Sequence, residues 1–231
     1  MDNYCIKPEY QHGTIAHTLV EEISSYWNAS RVSASGSYQW DVYLAAAAYL
    51  SEHPGTRFAD VGCGYPTKVR HLIQSVAAEI KLYDQPSMAS AIAKDFPEFS
   101  FVPMNLECPP DHGDRFGCVV CADVIEHLLN PDPLLKFLQQ VLGTGGLLFL
   151  STPERDALRG ENCVASPKRD HVREWNFGEF RAYLESRGLQ VLDHLRLPPK
   201  KLNRLQNLLP KALRRAFPAQ FGSCQIAVCR V

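Results

Sequence analysis

The sequence predicts an α/β fold in which a mostly parallel sheet of seven strands carries helices on both faces. Three observations carry that expectation. From Arg57 onward, short β-rich runs alternate with helical stretches; a glycine turn closes the first of these runs; and the chain ends on two β-rich runs with no long apolar helix between them.

Ahead of the sheet lie two amphipathic stretches, Thr14 to Ala29 and Tyr38 to Glu52, separated by the break Ser33-Ala34-Ser35-Gly36-Ser37. They are expected as extra N-terminal helices. Because Tyr38, Trp40 and Tyr43 stand close together, residues 1–55 are expected to form a helical lid over a main domain of residues 56–231. In that domain RFADVG, EIKLYD, FSFVPMN, CVVCAD and GLLFLST read as strands, with helices near 66–77, 87–95, 133–142 and 177–187. Pro133 after Asp132 suits a first helical turn, and Gly145-Gly146 breaks the chain before the LLFL run. LQVLDHLRL and CQIAVCRV complete the sheet as an antiparallel edge pair, with an antiparallel C-terminal edge strand.

Apolar residues make up 45% of the chain and charged residues 21%, the balance of a globular protein rather than a disordered or fibrous one. Residues 1–10 hold no apolar core behind a basic stretch, and the longest apolar run, Leu44 to Leu50, is too short to span a bilayer. A cytoplasmic protein without a transmembrane segment is expected. The eight cysteines are scattered, which points to reduced thiols rather than a disulfide framework. Cys118 and Cys121 form a CxxC inside a strand, where positions three apart face opposite ways, so a shared metal is not expected.

Phe58-Ala59-Asp60-Val61-Gly62-Cys63-Gly64 ends the first strand, so its glycines fall at the first strand-to-helix turn, where open α/β sheets bind ligands. Gly62 and Gly64 permit positive φ and close approach of a ligand, and the helix N-terminus behind them favours a carboxylate. A dinucleotide site would place a third glycine where Thr67 stands, which argues against pyrophosphate. Asp84 ends the second run, 24 residues after Asp60, where a carboxylate can accept hydrogen bonds from two ribose hydroxyls. Asn105 suits an adenine edge, with Met104 and Leu106 as apolar walls; a turn would use the same Asn.

On these residues the chain resembles the class I S-adenosylmethionine-dependent methyltransferases, in the branch of the ubiquinone-biosynthesis O-methyltransferases and of many natural-product and glycan methyltransferases. The resemblance covers about Arg57 to Leu192 and implies a Rossmann-like, doubly wound sheet. It implies that Asp60, Gly62, Cys63 and Gly64 hold the methionine part of S-adenosylmethionine, that Asp84 with Gln85 holds the ribose, that Asn105 and Leu106 lie at the adenine, and that Asp123 adjoins the cofactor. Ile125-Glu126-His127 matches the segment that faces the substrate. The usual third glycine is absent, and Asn105 stands for a more usual Asp. The expected reaction is O-methylation of a hydroxyl on a small-molecule acceptor, such as a natural product, a sugar or a lipid-linked precursor.

Methyl transfer gains much from holding the nucleophile in line in a dry pocket, and a hydroxyl must also lose its proton. Asp123, Glu126 and His127 follow the fourth strand at i, i+3 and i+4, which gathers them if the segment turns as a helix. His127 is the expected base, with Glu126 and His171 as its catalytic companions. Asp170-His171-Val172-Arg173-Glu174-Trp175 is similar to the DHxxEW segment of small-RNA 3′-terminal 2′-O-methyltransferases, in which an ExxEH motif and the later His bind a divalent metal. That resemblance implies an alternative, a metal-dependent RNA methyltransferase with Glu126, His127 and His171 as ligands. Asp123 is a shorter arm than the Glu it would replace, and related segments are similar to those of metal-independent bacterial members, so a metal-free site is expected. A non-catalytic cofactor-binding protein is the remaining alternative.

Net charge is −1, but the last acidic residue is Asp193 and eight of the 24 basic residues follow it, which leaves −9 on residues 1–193. So acidic a body is a poor nucleic-acid surface. Residues 198–221 mix Lys200, Lys201, Arg204, Lys211, Arg214 and Arg215 with leucines. This basic insert leaves from the carboxyl end of the sixth strand, can overhang the pocket and suits an anionic or lipid-linked acceptor. The plainer alternative is a solvated helix with its leucines packed on the body. A homodimer is left open.

Overall fold

A seven-stranded sheet runs through the computed structural model, which describes residues 3–12, 29–111 and 113–231. The strands are β1 (Arg57–Val61), β2 (Glu79–Asp84), β3 (Ser100–Pro103), β4 (Phe116–Ala122), β5 (Leu142–Pro153), β6 (Gln190–Leu197) and β7 (Cys224–Arg230). Their order across the sheet is β3-β2-β1-β4-β5-β7-β6. Strands β1 to β5 pair in parallel, and β7 runs antiparallel to both β5 and β6. The C-terminal strand is antiparallel, as expected, but it is not itself the edge, since β7 enters between β5 and β6 and pairs with both, leaving β6 outermost. Strand order reverses between β1 and β4, and the carboxyl ends of those strands open a crevice there.

The helices that cover the sheet are α1 (Ala29–Ser35), α2 (Trp40–Glu52), α3 (Ala89–Asp95), α4 (Asp132–Val141), α5 (Arg155–Arg159) and α6 (Phe177–Ser186). Strand β4 is almost wholly buried, and its alternating side chains feed two cores. Val119 and Cys121 join Leu148, Leu150 and Trp175 beneath α4 and α6, while Cys118 and Val120 join Phe58 and Phe149 beneath α2 and α3. Cys118 and Cys121 therefore face opposite cores, and burial pushes both thiols up. Each buried Leu or Phe stabilises the fold by about 1.5–3 kcal/mol.

Several elements differ from the sequence-based expectation. The stretch Thr14 to Ala29 lies outside the described residues apart from Ala29. Ser33 to Ser35, expected as a break, complete α1; its end is satisfied because Lys68 Nζ donates to the Ser35 carbonyl at 2.7 Å. Helix α2 starts at Trp40 because Gln39 is left-handed, with φ 56°. The helix near 66–77 contains a π turn, Val69–Ile73, in which the Gln74 amide donates to the Val69 carbonyl; such turns recur at functional sites. Gly145-Gly146 does not break the chain, since β5 runs through it with a shift of register against β4 between Phe116 and Cys118. Helix α5 is an addition, anchored by buried Arg155, which pairs with Glu179 at 2.7 Å. The insert forms three short helices, α7 (Arg204–Asn207), α8 (Lys211–Arg215) and α9 (Pro218–Phe221). None of its described side chains is buried, so the leucines do not form a core with the body.

Candidate active site

At the carboxyl ends of β1 and β4 lies a cleft of about 480 Å³. Its walls are the glycine turn, the turn after β4, the loop of Lys168 to His171, and the α1–α2 connection.

On the first wall, Gly62 and Gly64 adopt φ of 81° and 51°, a region that glycine enters without strain. The Gly62 and Cys63 amides donate to the Tyr83 carbonyl at 2.8 and 3.2 Å, pinning the turn to the end of β2. A methyl group on Gly62 would overlap the Val124 side chain, so this turn packs directly on the turn after β4. Asp84 lies behind it: Oδ2 accepts from the Gly64 amide at 2.6 Å and Oδ1 from the Gln85 amide at 2.7 Å. Burial raises the Asp84 pKa to about 6, with the two amides opposing. Asp60 is deeper. Its Oδ2 accepts from the Tyr43 hydroxyl at 2.8 Å, its Oδ1 has no partner among the described residues, and burial lifts its pKa to about 7.

Gln85 is buried beside Asp84, off the cleft wall. Asn105 is exposed, with Oδ1 accepting from the Glu107 amide at 2.8 Å, and Leu106 joins the core under α4; neither lines the cleft. Conversely, Lys68 lines the cleft and lies outside the expected site residues. It is 5% exposed, and burial lowers its pKa against the attraction of Asp60 and Asp123. A signal was present, since Lys68 occupies the helical stripe of Leu72. An ammonium beside a glycine turn suits a carboxylate, so this wall fits the amino-acid end of S-adenosylmethionine.

Asp123 bends the chain out of β4 with φ 53°, and its Oδ1 accepts from Ser151 Oγ at 2.9 Å. The 3₁₀ turn Ile125–His127 follows. Glu126 is buried and accepts from Thr152 Oγ1 at 3.0 Å; burial and then Asp123 push its pKa well up. The Val172 amide donates to the Glu126 carbonyl at 2.7 Å, which ties the loop of His171 to this turn.

Both imidazoles have their tautomers fixed from behind. His127 Nδ1 lies 2.6 Å from the Asp170 carbonyl, which can only accept, so Nδ1 carries the hydrogen and Nε2 the lone pair. Burial and the neighbouring His171 lower the His127 pKa to about 4, so the ring is neutral at pH 7. His171 Nδ1 lies 2.7 Å from Glu174 Oε1. Burial opposes ionisation of Glu174, but hydrogen bonds from His171, Arg159 and Ser166 outweigh it and hold its pKa at about 2. Glu174 is therefore an acceptor, and Nδ1 of His171 donates.

The two rings meet edge to face at 4.8 Å, and His127 Nε2 is 4.0 Å from Glu126 Oε1. Ligand atoms of Glu126, His127 and His171 all lie within 4.8 Å of one another. One carboxylate and two imidazoles, each imidazole donating its other N–H to an acceptor behind it, is a donor set that fits a divalent transition metal.

Sheet order, the lone antiparallel strand and the glycine turn at the switch point define an α/β nucleotide-cofactor fold. A methyltransferase-domain family model matches residues 37–194. The ubiquinone biosynthesis O-methyltransferase of Xanthomonas campestris pv. campestris (strain B100) is 30% identical over 171 residues, 65% of this chain and 68% of that protein. The tRNA U34 carboxymethyltransferase of Campylobacter curvus (strain 525.92) is 29% identical over 125 residues, 52% of this chain and 41% of that protein. Among solved structures, Burkholderia thailandensis 1,6-didemethyltoxoflavin-N1-methyltransferase, with 1,6-didemethyltoxoflavin and S-adenosylhomocysteine bound, is similar in fold. Its TM-score is 0.59 at 15% identity, over 91% of this chain and 85% of that one. An S-adenosylmethionine-dependent methyltransferase from Mesorhizobium loti gives 0.60 at 17% identity, over 81% and 96%. The chain belongs to the class I S-adenosylmethionine-dependent methyltransferases.

Proposed function

We propose that the protein methylates a hydroxyl of a small molecule and that His127 takes the hydroxyl proton. The carrying observation is a neutral imidazole on the cleft wall, with its hydrogen committed to Asp170 and its basic nitrogen on the side of Glu126. Bound S-adenosylmethionine supplies an electrophilic methyl group on a sulfonium. The glycine turn and Lys68 would hold its amino-acid end, Asp84 would keep the turn in shape, and His127 would accept the hydroxyl proton as the acceptor oxygen takes the methyl group and S-adenosylhomocysteine leaves. The Xanthomonas relative supports an oxygen acceptor, and the acidic body argues against nucleic acid.

A second reading is favoured by the convergence of Glu126, His127 and His171. These residues would hold a divalent cation, which would lower the pKa of a hydroxyl placed beside it. Calorimetry with S-adenosylhomocysteine tests the cofactor site; folded protein that shows no binding overturns it. A chelator separates the two readings, since it leaves a histidine base untouched and abolishes a metal-dependent rate.

The α1–α2 segment acts as a lid in this reading. Arg31 pairs with Asp170 at 3.1 Å, Gln39 Nε2 donates to the Ala122 carbonyl at 3.4 Å, and Lys68 reaches Ser35. Hydrogen exchange in residues 29–50 slows with S-adenosylhomocysteine bound if the segment closes on it.

A further inference from the structure

We propose that the insert of residues 198–221 docks on an anionic lipid bilayer and sets the mouth of the cleft at its surface. The segment combines two properties that conflict in water. Leu205 and Leu208 are 77% and 75% exposed, and Leu213 and Phe217 are about half exposed. Its helices of four or five residues bury none of their described side chains. Helices so short have no stability of their own, and exposed leucines add none. An apolar environment facing the insert would supply both.

Charge selects which environment. The insert contains six Lys or Arg and no Asp or Glu, beside a body that is strongly acidic. Leucines interleaved with cations match a boundary where acyl chains lie below anionic headgroups. Single-stranded RNA would call for aromatic platforms, and Phe217 is the one exposed aromatic among the described residues of the insert.

The insert is joined to the cleft at its root. The Lys201 amide donates to the Ser37 carbonyl at 2.8 Å, the Gln39 amide donates to the Pro199 carbonyl at 3.3 Å, and Tyr38 bridges to Lys200. Lys201 Nζ lies 3.8 Å from the centre of the Trp40 ring. Tyr38 and Gln39 line the cleft, so a surface bound at 204–217 lies close to the cleft's opening. This placement rests on the proposed acceptor site only for its consequence, delivery of a lipid-like acceptor; the docking stands by itself.

The test is flotation of the full chain with vesicles of phosphatidylcholine alone and of phosphatidylcholine mixed with phosphatidylglycerol. Flotation with the anionic vesicles only, weakened by salt, is expected. Leu205→Asp with Leu208→Asp lowers partitioning on the order of 100-fold, and Arg204→Glu or Arg215→Glu lowers it about fivefold per charge removed. S-adenosylhomocysteine binding, measured on the same variants, stays at the wild-type level and shows that they fold. No flotation with anionic vesicles at low salt overturns the proposal, as does flotation that the leucine pair does not affect, or flotation abolished by competing RNA. Loss of S-adenosylhomocysteine binding in the wild-type chain would overturn the proposed function instead, whatever the vesicles show.

Discussion

The two walls of the cleft are built on opposite plans. On the acceptor wall, His127 and His171 are each held from behind by an acceptor, the Asp170 carbonyl and the Glu174 carboxylate, and converge with Glu126. On the cofactor wall, Asp84 and Asp60 turn away from the cleft, one onto backbone amides and the other onto Tyr43. The first wall is organised for chemistry in advance. The second is organised to keep a loop in shape, with both carboxylates committed to the protein's own donors.

The largest expected effect tests the first half of that contrast. His127→Ala should lower kcat by about 10²–10⁴-fold while S-adenosylhomocysteine still binds; full activity, with and without chelator, would leave positioning alone as the source of rate. In the wild type, with the base neutral above its pKa of about 4, the rate should fall only as pH drops through that value. If a metal is held instead, Glu126→Ala and His171→Ala should be as damaging, and chelator should abolish turnover until Mn²⁺ or Mg²⁺ is restored.

Asp84→Ala addresses the second half. It removes the acceptor for two amides, and the affinity for S-adenosylhomocysteine measured by calorimetry should weaken by about 2–3 kcal/mol. A change confined to kcat would show that Asp84 does not shape the cofactor turn.

Asp60 gives a smaller effect with a defined sign. Its folded pKa of about 7 lies above the ordinary carboxylate value of about 4, so the folded state holds the extra proton between those limits. Its contribution to stability is therefore present at low pH and lost as pH rises from about 4 to about 7. Asp60→Asn should flatten that slope in thermal melts and raise stability at pH 8 by about 2 kcal/mol; an unchanged slope would place the titration elsewhere. Arg31→Ala should matter least, about 0.2–1 kcal/mol for a pair whose arginine is 43% exposed, read as faster exchange in α1.

Much of this was legible because it follows short-range rules. Alternating periods gave the strands, and Gly62 and Gly64 occupy the positive φ that their turn demands. Asp84 could be located from the end of its strand, and Glu126, His127 and His171 come together in space as their motifs suggested. Arg31 and Gln39 were not legible as cleft residues, since their place depends on how the α1–α2 segment lies against the turn after β4, whereas the helical stripe shared with Leu72 marked Lys68. Glu174 was visible as part of a motif, but its work on His171 depends on Arg159 and Ser166, which come from other turns. The insert's leucines fit packing on the body and overhang of the cleft equally well, because composition holds no information about which surface an amphipathic segment faces.

Gly62 and Val124 share one volume, since a methyl group on the first would overlap the second. A lineage can enlarge the cofactor turn only after trimming Val124, and even then an alanine at Gly62 remains strained by roughly 1–2 kcal/mol. Substitutions at Val124 that are silent by themselves thus decide which changes at Gly62 can survive. Gly62 is thus required by the neighbouring turn as well as by its own φ of 81°, so the two walls of the cleft constrain each other's side chains.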